Sequence, residues 1–103
     1  MAFGIRRQDL KKWKREVQSG KVALITHYWY DERFPQYKTV TKAGCANRET
    51  LISWGEKHGL RPEWIHNRDP FPHFDLVGEW ESGILESERH DPHAVIVNVI
   101  RRS

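Results

Sequence analysis

Ala94-Val95-Ile96-Val97-Asn98-Val99-Ile100 is the most apolar run of the chain, interrupted only by Asn98, and the fold turns on how it is read. Its branched residues favour a pleated surface. A near-continuous apolar run, in place of alternation, marks a strand covered on both faces. The reading is a central strand with Val95, Ile96, Val97 and Val99 buried. Asp91-Pro92 sets it off from what precedes by a turn.

Working outward, a second β-rich run spans Lys21 to Tyr30, with Val22, Ala23, Leu24, Ile25 and Thr26 leading into His27 and Tyr28. It reads as a largely buried strand that delivers His27 to its C-terminal end, where open α/β sheets place ligand chemistry. Lys38 to Cys45 makes a further short strand, and His73 to Val77 an extended piece. Leu60 to His66 is expected to re-enter the sheet after Pro62. Leu10, Trp13 and Val17 give Arg6 to Gln18 one apolar helical stripe. Asn47 is a good N-cap for a helix over Arg48 to His58, closed by Gly59. Glu79 to Arg89 has helical spacing at Trp80, Ile84 and Leu85, weakened by Gly78 and Gly83. The class is therefore α+β, a small mixed sheet of about four strands with two or three helices.

The 103 residues make one domain the expectation for 1–103. A single cysteine, Cys45, excludes a disulfide framework within one chain and points to a reducing compartment. No run approaches the roughly 20 apolar residues of a membrane span, so the expected location is cytoplasmic, with no membrane partner. The charge is uneven. Residues 1–50 hold 11 Lys or Arg against 5 acids, and residues 51–103 hold 6 against 9. The cations of the first helix, Lys11, Lys12 and Arg15 among them, could meet phosphates, although a solvated face is the favoured account of them. The acid-rich segment 79–91 is open to reading as a docking arm.

Glu49-Thr50-Leu51-Ile52-Ser53-Trp54-Gly55, His58-Gly59-Leu60-Arg61, Trp64-Ile65-His66 and His73-Phe74-Asp75-Leu76 together resemble a small bacterial and phage family of unknown function. That family's pattern runs Glu-Leu-x-x-Phe-Ala, then Gly-Leu near Trp-Phe-Gln, then His-Tyr-Asp. This chain has Ile65-His66 where the family has Phe-Gln. It also lacks, around Lys42 to Ala46, the His and Asp found there before the helix. The resemblance implies a shared fold and a polar patch at Trp64, His73 and Asp75, and no particular reaction.

The chemistry-bearing residues are His66, His73 and Asp75, with His27 as a fourth member. On an extended segment His73 and Asp75 share a face. Two imidazoles and a carboxylate are a usual set for a divalent metal. Equally, His66, Arg61, Arg68 and His73, with backbone N–H groups at the Asn47 helix start, can cradle a phosphate. Trp64, Trp29 or Tyr28 would then stack on a base. Trp13, Trp54 and Trp80 are expected in the core. Cys45, just before a helix start, is a candidate nucleophile, but nothing fixes a dyad, and a small packed residue explains it as well. No Gly-rich phosphate loop or dinucleotide fingerprint is present.

The reading is a binding module for a phosphate-bearing ligand, a nucleotide or nucleic acid, through His27, Arg61, Trp64, His66, Arg68, His73 and Asp75. The alternatives are a metal-dependent phosphoester hydrolase, with His66, His73 and Asp75 as ligands, and an interaction protein without a small ligand. Oligomeric state is left open.

Overall fold

Val22 to Ile25 is the longest stretch of consecutive buried apolar residues, and the sheet is built around it. The computed structural model describes residues 5–68 and 70–98. It has the order α1 (Arg7–Gln18), β1 (Ala23–Tyr28), β2 (Thr39–Gly44), α2 (Arg48–Lys57), a single 3-10 turn (Pro62–Trp64), β3 (His73–Leu76), α3 (Glu79–His90) and β4 (Val95–Ile96). The strands lie side by side as β3-β2-β1-β4. β1 and β3 run antiparallel to β2, and β4 runs parallel to β1. This is the α+β class with a mixed four-stranded sheet and three helices.

The interior strands are β1 and β2, and the described part of the expected central run, with β4, lies at the sheet's edge. Its ladder is short, and Val95, Ile96 and Val97 are half-buried; Val99 and Ile100 fall outside the described residues. Apolar content does not by itself rank strands, because an edge strand also contacts helices on both faces. Ala94 and Ile96 pack toward one side of the sheet, Val95 and Val97 toward the other. The N–H groups of Val95 and Val97 donate to the carbonyls of Val22 and Leu24. Asn98 then continues the ladder with its side chain. Its Oδ1 accepts from the Thr26 N–H at 2.7 Å and its Nδ2 donates to the Thr26 carbonyl at 3.1 Å.

Strand periodicity divides the sheet into two faces. On one, Leu24, Ala43, Phe74 and Leu76 form the main core with Leu51, Trp54 and Ile84 from the helices. Gly55 permits close packing here, since a Cβ at this position would stand 2.7 Å from the Phe74 ring. On the other, Ala23 and Ile25 pack with Trp13 and Val17 of α1. Trp13 Nε1 donates to the Ala23 carbonyl at 2.9 Å, and its ring lies where a Gly44 side chain would stand.

Two further expectations are corrected. Leu60 to His66 forms the 3-10 turn, and only His66 rejoins the sheet, as a bridge to His73. Trp80 is exposed, because α3 buries Glu81, Ile84 and Glu88 at helical spacing and turns Trp80 outward. Trp13 and Trp54 are buried as expected.

Candidate functional site

α1 covers only part of its face of the sheet, and the uncovered part carries polar side chains. The strand register explains which ones. Gly44 stands opposite both Ala23 and His73, and His66 opposes His73 from outside. His66 and His73 are therefore cross-strand neighbours on one face, with rings stacked 5.4 Å apart at 23°. Two residues along β3, Asp75 faces the same way, opposite Lys42. Asp75 Oδ2 lies 3.2 Å from His66 Nε2, and Asp75 Oδ1 lies 3.6 Å from His73 Nε2.

His73 is buried, whereas His66 and Asp75 are exposed. The Phe71 carbonyl lies 2.8 Å from His73 Nδ1 and can only accept, so Nδ1 carries a proton. Burial holds the His73 imidazole below its ordinary pKa against the opposing pull of the Phe71 carbonyl and Asp75, and the nearby Lys42 and His66 push the same way as burial. The favoured species is neutral, with a lone pair on Nε2. Its separation from Asp75 Oδ1 exceeds hydrogen-bonding distance, so two acceptors face each other there.

Two cavities adjoin this cluster. One, of about 330 Å³, lies between α1 and the sheet, with Trp13, Ile25 and Phe71 among its apolar walls and His27, Lys42 and His73 at its base. Lys14 and Arg68 also line it. The other, of about 480 Å³, is a groove along the outer edge of β3 between Trp64 and Trp80, and it includes His66 and Asp75. Those two indoles meet edge to face at 5.6 Å, both more than two-fifths exposed. The Arg61 guanidinium lies 6.0 Å from the Trp64 ring centre, within cation–π range.

The structure thus brings His66, His73 and Asp75 together and puts Trp64 beside them. His27 shares their face but not their position, because it stands on β1 opposite Val40, two strands away from β3. Arg68 belongs to the inner cavity, and Arg61 lines neither cavity but stands against the Trp64 ring. Asn47 Oδ1 accepts from the Thr50 N–H at 3.1 Å, so the cap takes up one of the N–H groups expected to cradle phosphate. Tyr28 and Trp29 line neither cavity. Cys45 is wholly buried and burial pushes its thiol up, which makes it a packed residue and not a helix-start nucleophile. Among the described residues, no three or more His, Cys, Asp or Glu side chains are arranged to hold a metal ion.

Lys42 and Phe71 were not singled out in the sequence, Lys14 was read only as one of the first helix's cations, and Trp80 was placed in the core. Lys42 was within reach, since the alternation that pairs His73 with Asp75 also turns Lys42 toward this face once its strand partners are known. A second polar cluster lies on the opposite side. Glu88, fully buried, accepts from Trp54 Nε1 at 3.4 Å and the His93 N–H at 2.8 Å, and lies 3.2 Å from His58 Nε2.

A protein of Bacillus subtilis (strain 168) described as "Uncharacterized protein YneQ" is 53% identical over 95 residues, which cover 92% of this chain and 96% of that protein. The chain belongs to the YneQ family. This is a small bacterial family of unknown function, as the sequence motifs implied. No protein-family model matches the chain, and no solved structure matches it. The site of this YneQ-family protein is therefore read from its own geometry. No helix among the described residues is long and apolar enough to cross a membrane.

Proposed function

We propose that the protein binds a phosphate-bearing ligand, a nucleotide or nucleic-acid strand, at the face carrying His66, His73 and Asp75. The observation that carries this reading is the placement of charge. Lys14, Lys42 and Arg68 line one cavity, and among the described residues none of them forms an ion pair. Asp75, the acid nearest Lys42 in the ladder, is turned toward the imidazoles. Unpaired cations beside a low-dielectric wall attract anions more strongly than the same charges in open water. Trp64 and Trp80 supply an adjoining surface on which a base can stack, worth about 1–3 kcal/mol per base.

Calorimetric titration with mononucleotides and short single strands tests the reading. Binding should weaken roughly tenfold or more in Trp64→Ala and in Lys42→Gln, a loss of about 1.4 kcal/mol each. Absence of binding to every nucleotide and strand, with the protein folded, overturns it.

A divalent ion with phosphoester hydrolysis is the second reading. One observation favours it: His73 Nε2 and Asp75 Oδ1 present two acceptors 3.6 Å apart, and the Phe71 carbonyl orients the imidazole as outer partners do at metal sites. Elemental analysis of protein purified without chelator separates the two. A stoichiometric metal that is lost in His73→Asn with Asp75→Asn supports the hydrolase.

A further inference from the structure

One atom beside the inner cavity has no partner. His27 is 4% exposed, and its Nδ1 lies 2.9 Å from the Tyr28 carbonyl, which can only accept. The proton is therefore on Nδ1. Nε2 is buried and makes no hydrogen bond, and among the described residues no other buried side-chain nitrogen or oxygen is in that condition. In the neutral imidazole with its proton on Nδ1, Nε2 carries the lone pair. Buried polar groups are almost always hydrogen-bonded, and an exception calls for a reason. Phenylalanine would fill nearly the same space without leaving an acceptor unmet.

The surroundings of His27 supply the reason. The imidazole forms part of the cavity wall together with Ile25, Trp13 and Phe71, and Lys42 stands on the same face. We propose that this cavity takes a small amphipathic anion that donates an O–H or N–H to His27 Nε2. Its apolar ring or chain lies among Trp13, Ile25 and Phe71, and its charge meets Lys14, Lys42 and Arg68. The anionic end rests on the proposed function, and the rest narrows it. About 330 Å³ is at the low end for small-molecule sites, so the occupant is one small molecule and not a polymer strand. Closing the open hydrogen bond makes the donor a source of specificity, because a site built around a polar group discriminates against analogues that leave it unpaired.

The test uses two pairs of probes that differ only in a donor or its absence: phenol against fluorobenzene, and 4-hydroxyphenyl phosphate against phenyl phosphate. Each is titrated against the full chain and against His27→Phe. The hydroxylated member of each pair should bind wild type about tenfold more tightly, and His27→Phe should erase that preference without lowering the melting temperature. In histidine-labelled wild type, the His27 Nε2 nitrogen resonance should move on adding phenol and stay put on adding fluorobenzene. This reading does not depend on how the variant folds. No hydroxyl preference and no resonance shift overturn the inference. If the preference holds in both pairs but neither phosphate binds more tightly than its uncharged counterpart, the His27 assignment stands and the phosphate reading falls.

Discussion

His73 is the residue at which the site and the stability of the fold meet. Its imidazole stays neutral because burial disfavours the charged form. An unfolded chain takes up a proton here as pH falls below about 6.5, and the folded chain resists it. Its contribution to stability is therefore complete above that pH and is lost as the solution is acidified through it. Urea unfolding at about pH 8 and about pH 5 should show the wild type losing more stability than His73→Asn; parallel losses would remove His73 as a cause. At this scale the sequence was informative where alternation applied, as for His73 and Asp75, and silent where acids were buried. Glu88 reads as a solvated charge in a helix, and only the approach of Trp54, His58 and the His93 N–H, distant in sequence, makes it an interior residue.

Among the elements, α1 meets the sheet by placing an indole over a glycine. The Trp13 ring stands 2.6 Å from where a Gly44 Cβ would be, so Gly44→Ala must displace α1 or turn the indole. The expected cost is about 1–3 kcal/mol. Trp13→Leu clears that space, so the double variant should be less destabilised than the two single changes added together, with a coupling of about 0.5–3 kcal/mol. Strict additivity in thermal unfolding would show that the two residues do not meet. Stripe periodicity revealed α1 and Trp13, and Asn47 marked the start of α2. Strand rank was not legible in the same way. The Ala94 to Ile100 run is more apolar than its place requires, since helices flank the edge of this sheet as well as its centre. Trp80 misled for a related reason: Ile84 marked the correct face, but Glu81 and Glu88, not Trp80, complete it.

On the scale of the whole molecule, the basic half of the sequence does not act as one surface. Both Lys12 and Lys14 of α1 are exposed, but Lys14 lines the cavity, 5.5 Å from the Phe71 ring centre, and Lys12 does not. A phosphate ligand should therefore lose affinity steeply on Lys14→Glu and little on Lys12→Glu, and added salt should weaken binding to the wild type. Equal effects of the two changes would return the whole helix to general electrostatic attraction. Net charge was weak evidence for the proposed anionic partner, since a small excess of cations is common in proteins of this size. The location depended on which cations the register gathers, and that is fixed by pairings between residues far apart in the chain.

The amide of Asn98 has a consequence in time as well as in space. A two-residue ladder holds its alignment weakly, and a slip along β1 would carry Val97 and Asn98 out of register. By closing both peptide groups of Thr26 with one side chain, Asn98 acts as a latch next to His27, the residue with the open lone pair. Asn98→Ala should leave deuterium uptake at Leu24 nearly unchanged and speed it at Thr26 by an order of magnitude or more. Were Thr26 to exchange as slowly as before, the latch would have to be something other than this amide. With it open, the strand end that carries His27 would be held by its pairing to β2 alone.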